Sequence, residues 1–233
     1  MKKMFVIPFA GGSSASFAGW NRYNREYEFV FLDLPGKGRR MNEPMAKTID
    51  EAIEDIINQI LKNIMEEKCE SYYIWGHSMG SYIAYEASLK INNMECKRPL
   101  GLVMSGSVAP NKIDRQQIKD ITDNEDVFIS YLVSLGLISK DLCNKKIMRK
   151  IYIPKIRNDY ELLINYKPSN NKKCAIKTLI LNGKDDDFIV DDIYEWDRFF
   201  EQSPQYEFFE GNHFFIFDKK DIVLKAIDKQ IVD

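Results

Sequence analysis

The amino-acid sequence predicts an α/β protein whose mostly parallel sheet is flanked by helices. Short apolar runs typical of strands alternate along the chain with longer stretches whose apolar residues recur at helical spacing. Such alternation is typical of a parallel sheet that is covered on both faces. The length of 233 residues suits one domain, expected to span 1–233, with a sizeable hydrophobic core.

Six apolar runs are predicted to form the strands of this sheet. Each run is short, and several are followed at once by glycine, proline or charged residues that end a strand. The predicted strands are 4–7, 28–33, 72–75, 100–104, 177–181 and 206–209.

Three stretches between or after these strands are predicted helices. The first begins at Thr48, where Glu51 completes a capping box. Its apolar stripe is expected to face the core and consists of Ile49, Ile53, Ile56, Ile57, Ile60, Leu61 and Ile64. The second helix is predicted at 81–92. The third runs from Asp218 to the C-terminus, with an apolar face of Ile222, Val223, Ala226, Ile227 and Ile231.

The region from about 110 to 171 interrupts the alternation of strands and helices. It contains helical patterns but no convincing strand, so we predict a helical insertion between two strands of the sheet. Insertions at such places commonly form a lid over a site. It contains two apolar groups: Phe128, Ile129, Leu132, Val133, Leu135 and Leu137, and then Ile147, Ile151, Ile156, Tyr160, Leu163 and Ile164.

Composition excludes several classes of function. With 33 basic and 35 acidic residues the net charge is −2, which argues against a nucleic-acid-binding protein. No apolar stretch approaches the roughly 20 residues that a membrane span needs. Pro8 ends the first apolar run early, so a core strand is favoured over a signal peptide. The four cysteines are scattered and only two histidines exist, so we expect free thiols in a reducing cytoplasm and no metal site.

A turn around Ser78 carries the first candidate catalytic residue. Gly-His-Ser-Met-Gly at 76–80 lies between a predicted strand and a predicted helix, which is the context of a nucleophile elbow. In so tight a turn side chains beside the serine would collide with neighbouring backbone, and Gly76 and Gly80 remove those clashes. We therefore predict that Ser78 is a nucleophile, the alternative being a coincidental turn.

Serine needs a base to accept its proton, and the chain offers only two histidines. His77 is adjacent to Ser78, so its side chain is expected to point away from the hydroxyl and to have a structural role. His213 follows the last predicted strand, after the nucleophile in chain order. The sequence therefore predicts His213 as the general base.

The acid that orients His213 is expected between the nucleophile and the base in chain order. Asn-Gly-Lys-Asp-Asp-Asp at 182–187 follows the fifth predicted strand and supplies three adjacent aspartates, which cannot all face one histidine. Asp186 is three residues after the glycine, the offset of a Gly-x-x-Asp turn, and is the preferred candidate. Asp187 and Asp185 remain open as alternatives.

Two backbone amides are expected to bind the oxyanion that forms during acyl transfer. The elbow aims the N–H of Met79 at that position. The second donor is expected from the loop after the first strand, Pro-Phe-Ala-Gly-Gly at 8–12, with Ala10 preferred and Gly11 as the alternative. A phosphate-cradling loop is disfavoured, because neither Gly-x-Gly-x-x-Gly nor a P-loop Lys-Ser/Thr is present.

With these residues in place, the chain resembles the type II thioesterases, stand-alone α/β-hydrolases that serve nonribosomal peptide and polyketide synthases. The resemblance runs nearly end to end. It is carried by Pro-Phe-Ala-Gly-Gly-Ser at 8–13, Leu-Pro-Gly-Lys-Gly-Arg-Arg at 34–40, the elbow at 76–80, Arg-Asn-Asp-Tyr at 157–160 with Tyr166 downstream, and Gly-Asn-His-Phe-Phe at 211–215. Asn158 and Asn212 depart from the alanine and glycine usual at those positions, and neither removes a catalytic group.

The resemblance implies an α/β-hydrolase fold in which the 110–171 insertion is a lid and Asp186 is the triad acid. It implies hydrolysis of acyl or aminoacyl groups from the phosphopantetheine arm of a carrier protein, without a metal or an organic cofactor. Carrier-protein domains of a synthase are the expected partners, the cytoplasm is the expected location, and a monomer is the default state.

Two other functions stay open on the sequence alone. The first is a small-molecule carboxylesterase or peptidase on the same fold, because the triad sets the chemistry while the lid sets the substrate. The second is a catalytically inactive protein that binds a synthase. The presence of Ser78, an acidic turn and His213 argues against the second.

Overall fold

The computed structural model of the chain describes residues 1–22, 26–67, 69–143, 145–169, 172–187 and 193–232. Six strands form one sheet in the order β2-β1-β3-β4-β5-β6, and every neighbouring pair is parallel. The prediction of a parallel α/β sheet is confirmed, and each predicted strand boundary lies within two residues of the observed one. The strands are β1 Lys2–Ile7, β2 Tyr27–Phe31, β3 Ser71–His77, β4 Gly101–Ser105, β5 Thr178–Gly183 and β6 Gln205–Phe209.

Both faces of the sheet are buried, which explains why its strands are almost uninterrupted apolar runs. Successive residues of a strand point to opposite faces. Phe5 and Ile7 of β1 belong to one core, which also contains the apolar stripe of helix α1 (Ile49–Glu66). Met4 and Val6 belong to a second core on the opposite face. Because all strands are parallel, their carboxyl ends meet along one edge, where ligands bind in sheets of this kind.

Helix α2 (Met79–Asn92) follows β3 directly and packs against β3 and β4. It begins two residues earlier than predicted, because the chain turns into the helix at Ser78 itself. Twelve of its residues are buried, so α2 is a core helix with little amphipathic pattern to mark its start in the sequence.

One helix is predicted from Asp218 to the C-terminus, whereas the structure has three helical pieces from Phe215 onward. They are α7 (Phe215–Asp218), α8 (Lys220–Ile227) and a π-helical turn (Asp228–Val232), with a non-helical residue, Lys219, between the first two. The prediction that Ile222 lies on the apolar face is wrong, since it is 57% exposed. Adjacent residues lie about 100° apart on a helix. In α8 the side chain of Ile222 faces outward, whereas the next two residues, Val223 and Leu224, are buried.

The insertion between β4 and β5 is helical, as predicted. In the described part of 110–171, which omits 144, 170 and 171, the chain forms helices and no strand. Ile147 and Ile151, two members of the second apolar group, are 55% and 42% exposed. The π-helical turn Met148–Tyr152 changes the hydrogen-bond spacing, and this breaks the register that a regular helix would keep. The helices of the insertion are α3 (Arg115–Asp123), α4 (Glu125–Ser134), α5 (Lys140–Cys143) and α6 (Ile153–Asn165).

Two expectations from composition can be compared with the described residues. All four cysteines are free thiols, and two of them are buried. None of the described helices is both long enough and apolar enough to cross a lipid bilayer.

Candidate active site

Ser78 occupies a strained turn between β3 and α2. Its φ of 55° and ψ of −120° make it the only residue other than glycine with a positive φ among those described. A side chain in this region carries a steric cost and persists only where the surroundings enforce the conformation. The Ser78 amide donates a hydrogen bond to the carbonyl of Ser105, 2.7 Å away, which ties the turn to the end of β4.

Close backbone contacts explain the two glycines of the turn. A Cβ atom on Gly76 would lie 2.0 Å from the carbonyl oxygen of Gly80, and one on Gly80 would lie 2.3 Å from that of Ile7. These are backbone atoms that cannot rotate away. Helix α2 therefore starts in direct contact with the end of β1, and this brings the 8–12 loop beside Ser78.

His213 lies within hydrogen-bond distance of Ser78. Its Nε2 atom is 2.9 Å from the Ser78 hydroxyl oxygen, and the residue is 8% exposed. The loop that carries it is shaped by Asn212, whose side-chain oxygen accepts a hydrogen bond of 2.9 Å from the amide of Phe214. Asparagine at this position, where the resembling family usually has glycine, thus contributes a local turn contact.

The structure distinguishes the three adjacent aspartates. Asp186 is 4% exposed, and its Oδ2 atom lies 2.7 Å from Nδ1 of His213. The side chain of Asp185 instead accepts a hydrogen bond from the amide of Gly211, whereas Asp187 is exposed and lines the cavity described below. Asp186 is therefore the aspartate that contacts the imidazole.

Backbone hydrogen bonds hold the acidic turn against the histidine loop. The amide of Lys184 donates to the carbonyl of Phe209 at 2.8 Å, and the amide of Asp185 donates to that of Gly211 at 3.0 Å. Together with the bond from the Gly211 amide to Asp185, these contacts extend the β5–β6 pairing beyond the strand ends. They fix the separation of Asp186 and His213.

His77 is fully buried and faces the end of β4. Its Nδ1 atom lies 2.9 Å from the hydroxyl oxygen of Ser105, which also accepts a hydrogen bond from the indole of Trp75. Burial, and then the neighbouring His213, hold the pKa of His77 well below its ordinary value, so the ring is neutral near pH 7. The His77 and His213 rings are 5.3 Å apart, centroid to centroid. These contacts are consistent with the structural role that the sequence predicts for His77.

The two residues whose amides are predicted to bind an oxyanion both lie near Ser78: Met79 follows it directly, and Ala10 lines the same cavity. Met79 is the first residue of α2, so its N–H has no acceptor within the helix and lies at the positive end of the helix dipole. Ala10 lies in a turn closed by a 2.8 Å bond from the Gly12 amide to the Phe9 carbonyl, and it lines the same cavity as Ser78. The alternative donor, the amide of Gly11, is bonded to Asp159 at 2.7 Å.

A cavity of about 360 Å³ extends from Ser78 and His213 under the insertion. This volume falls in the range of small-molecule sites, about 300–1,000 Å³. Its wall is mixed in character. Helix α2 contributes Tyr82, and the loops at the sheet edge contribute Phe9, Ala10, Ser107 and Phe214. The insertion contributes apolar and polar side chains from Ile113, Ile118, Leu135, Leu137, Leu163, Tyr131, Tyr160 and Gln117.

Among the described residues, no group of three or more His, Cys, Asp or Glu side chains is arranged to hold a metal ion. The arrangement suits proton transfer between Ser78 and His213 and nucleophilic attack on a carbonyl bound in the cavity.

One contact near the site was not predicted from the sequence. Asp159 of α6 forms an ion pair of 2.8 Å with Lys37, and both side chains are buried. Burial raises the pKa of Asp159, and the Lys37 ammonium opposes that rise. The two residues lie in segments that carry the family resemblance, but no spacing in the sequence indicates that they meet.

Comparison with known proteins gives consistent matches over the whole chain. The family model described as thioesterase domain matches residues 2–231. The chain is 31% identical over 228 residues to the probable anguibactin biosynthesis thioesterase AngT of Vibrio anguillarum, covering 95% of this chain and 88% of the relative. It is 27% identical to the medium-chain S-acyl fatty acid synthase thioesterase of Rattus norvegicus, covering 92% and 81%.

Solved structures share the fold of this chain. ClbQ from the colibactin NRPS/PKS pathway superimposes with a TM-score of 0.86 at 24% identity, covering 99% of this chain and 96% of that one. The type II thioesterase YbtT from the yersiniabactin NRPS/PKS pathway gives a TM-score of 0.84 at 20% identity, covering 99% and 92%. The predicted fold class, a sheet of α/β-hydrolase type with a helical insertion, is confirmed.

Proposed function

Because the chain belongs to the thioesterase domain family, as its resemblance to the type II members indicated, we propose that it is a serine thioesterase acting on carrier proteins. Its substrates are acyl or aminoacyl thioesters on the phosphopantetheine arm. One observation carries the proposal: the Ser78 hydroxyl, the His213 imidazole and the Asp186 carboxylate form a hydrogen-bonded chain that opens into an acyl-sized cavity.

Acylation is the first half of the proposed reaction. Ser78 Oγ attacks the thioester carbonyl while His213 Nε2 accepts the hydroxyl proton, and Asp186 stabilises the imidazolium that forms. The N–H groups of Met79 and Ala10 donate to the oxyanion, and one such donor is typically worth about 10²–10³ in rate. The carbon–sulfur bond then breaks, and the pantetheine sulfur leaves as a thiol with the proton that His213 returns.

Deacylation restores the free enzyme. A water molecule gives a proton to His213 Nε2 and attacks the carbonyl carbon of the acyl group on Ser78. The second tetrahedral intermediate uses the same two amides. Its collapse breaks the carbon–oxygen bond to Ser78, which regains a proton from His213, and the acyl group leaves as a carboxylic acid.

The carrier-protein substrate rests on relatedness and on the shape of the site. Relatives named for the biosynthesis of anguibactin and gramicidin S support a role beside a synthase, where an acyl group is removed from a carrier. The cavity lies beneath the insertion, so the pantetheine arm would enter along its rim. We propose that the whole chain, 1–233, acts as one domain in the cytoplasm and that the insertion serves as the lid.

The test presents two substrates to purified protein. Acyl-loaded carrier protein is followed by intact-protein mass spectrometry, and a simple aryl ester is followed by absorbance. The wild type is expected to unload the carrier and Ser78→Ala to leave it loaded. Ser134→Ala, at an exposed serine of α4, is the matched control and should retain activity.

The outcomes separate the alternatives. Hydrolysis of the aryl ester with every loaded carrier left intact would contradict the thioesterase proposal and favour a carboxylesterase. Binding of the carrier without hydrolysis of either substrate would favour an inactive synthase-binding protein. Full activity in Ser78→Ala would show that the nucleophile is another residue. Because a fatty acid synthase thioesterase is among the relatives, carriers loaded with fatty acyl groups belong in the same series.

A further inference from the structure

A buried ion pair joins the insertion to the loop after β2, and its carboxylate also bonds the loop that carries the proposed oxyanion donor. The ammonium of Lys37, in the loop after β2, lies 2.8 Å from Oδ2 of Asp159 in α6. The two side chains are 6% and 2% exposed. The same Oδ2 atom accepts the 2.7 Å hydrogen bond from the amide of Gly11. One carboxylate oxygen therefore bridges three separate segments of the chain.

The bond to Gly11 fixes the turn that contains Ala10. In the turn from Phe9 to Gly12, Gly11 has a φ of 79°, which glycine adopts at little cost. The N–H that Asp159 holds belongs to the peptide between Ala10 and Gly11, so this peptide cannot rotate without breaking a charge-assisted bond. The direction of the neighbouring Ala10 N–H depends on that turn.

Further contacts hold α6 in place over the same loops. The Lys155 ammonium donates to the carbonyls of Gly36 at 2.9 Å and Met41 at 2.6 Å, and Lys37 donates to the carbonyl of Lys155. The side-chain amide of Asn158 donates to the carbonyl of Ala46 at 3.1 Å. The last helix of the insertion is thus bonded to the 36–46 loop as well as to Gly11.

Stability alone is a weak reason for a buried ion pair. Desolvation of two charges often outweighs their attraction, and a well-packed apolar pair is frequently as stable or more so. What an apolar pair could not supply is an acceptor for the Gly11 amide. We propose that Lys37 and Asp159 are positioning residues that hold the Ala10 amide in line with the oxyanion. This role rests on the proposed function.

A second buried carboxylate provides a matched control. Glu86 of α2 is 2% exposed and accepts hydrogen bonds from the Tyr166 hydroxyl at 2.8 Å and the Ser169 amide at 2.9 Å. It therefore holds the end of the insertion, as Asp159 holds α6, but its described bonds do not reach the 8–12 loop. Neutralising Glu86 measures the cost of weakening an anchor of the insertion without disturbing Ala10 directly.

The experiment compares Asp159→Asn, Lys37→Gln and Glu86→Gln in aryl-ester hydrolysis and in binding of an alkyl boronic acid. The boronate forms a tetrahedral adduct on the serine and places an oxygen at the oxyanion position. One oxyanion donor typically contributes about 10²–10³ in rate, and a misdirected Ala10 amide would lose part of that contribution. The kcat of Asp159→Asn should therefore fall about 10–100-fold, while its KM stays within about threefold of the wild-type value. Boronate affinity should fall by a similar factor, and Lys37→Gln should change in the same direction.

Glu86→Gln is expected to lose thermal stability while it keeps kcat and boronate affinity within about threefold of wild type. The concentration of active enzyme is measured by titrating the reactive serine with a fluorophosphonate, and all rates are divided by it. Unfolded protein therefore does not affect the comparison of rates. The proposal would be overturned if Asp159→Asn kept the kcat and the boronate affinity of the wild type. If Asp159→Asn does not fold, the same result in Lys37→Gln would overturn it. An equal loss in Glu86→Gln would overturn it too. Failure of the wild type on loaded carriers would instead refute only the thioesterase function, because these readouts need no carrier.

Discussion

The Oδ2 atom of Asp186 lies 2.7 Å from Nδ1 of His213, whereas the Asp185 carboxylate accepts a hydrogen bond from the Gly211 amide and Asp187 is exposed. The contact between Asp186 and His213 orients the imidazole so that its other ring nitrogen lies 2.9 Å from the Ser78 hydroxyl oxygen. An acid in this position keeps the proton of a neutral histidine on Nδ1. The Nε2 atom is then unprotonated and can accept the serine proton.

Removing the charge of Asp186 should therefore impair catalysis far more than removing that of its neighbour. In Asp186→Asn the imidazole loses the group that stabilises its charged form, and kcat/KM should fall by about 10³-fold or more. Asp187→Asn, at an exposed position on the cavity wall, should stay within about threefold of wild type. Steady-state hydrolysis of an aryl ester measures both. A larger loss in Asp187→Asn would show that the acid is misassigned.

The contact between α2 and β1 predicts a severe effect of one methyl group. In Gly80→Ala the new Cβ would lie 2.3 Å from the carbonyl oxygen of Ile7, so backbone must shift between the elbow and the 8–12 loop. Because a misplacement of about 1 Å can cost about 100-fold in rate, kcat/KM should fall at least about tenfold and the melting temperature should drop.

Gly19→Ala is the control for that substitution. Gly19 also has a positive φ, 83°, but nothing lies within 4 Å of its added Cβ. Strain of about 1–2 kcal/mol should lower its stability while kcat/KM stays unchanged. Wild-type kinetics in Gly80→Ala would contradict the account of the elbow, as would an equal loss of activity in both variants.

The buried neutral His77 predicts a dependence of stability on pH. Below about pH 6.5 the imidazole of the unfolded chain binds a proton. The folded protein resists this, because burial and the nearby His213 hold the pKa of His77 well below its ordinary value. The unfolded state then binds more protons, so His77 lowers the free energy of unfolding by up to about 1.4 kcal/mol per pH unit as the pH falls from 6.5.

His77→Gln lacks this titration. In urea denaturation at pH 7.0, 6.0 and 5.5, the free energy of unfolding of the wild type should decrease more steeply with falling pH than that of the variant. The stability difference between the two proteins should therefore change in favour of the variant as the pH falls. A difference that stays constant over this range would mean that His77 is not held neutral by the fold.

Much of the fold is predictable from sequence because local physics and global structure agree. The strands are buried on both faces, so each appears as an apolar run between turn residues. The elbow requires its glycines because a Cβ atom added to Gly76 would lie only 2.0 Å from a backbone oxygen. The glycine pattern around Ser78 can therefore be recognised in the sequence. The scarcity of histidines pointed to His213, the residue that the structure brings to Ser78.

Other features depend on contacts that no local pattern encodes. The ion pair of Lys37 and Asp159 joins segments far apart in the chain, and neither residue has a periodicity that marks it as buried. The Gly-x-x-Asp offset favours Asp186 over Asp187 and Asp185, but the reciprocal bonds between two turns, which decide among the three, have no such local signature. Ile147 and Ile151 belong to an apolar group in the sequence, yet both are exposed where the chain forms the π-helical turn Met148–Tyr152.

The central claim, that Ser78 takes the acyl group from a carrier-bound thioester, is tested most directly by trapping the acyl-enzyme. Loaded carrier is mixed with enzyme, quenched within milliseconds to seconds, digested and analysed by mass spectrometry. We predict that the acyl mass appears on the peptide that contains Ser78, decays as free acid is released, and is absent from Ser78→Ala. Acyl mass on another residue, or a carrier unloaded at an unchanged rate by Ser78→Ala, would contradict this account.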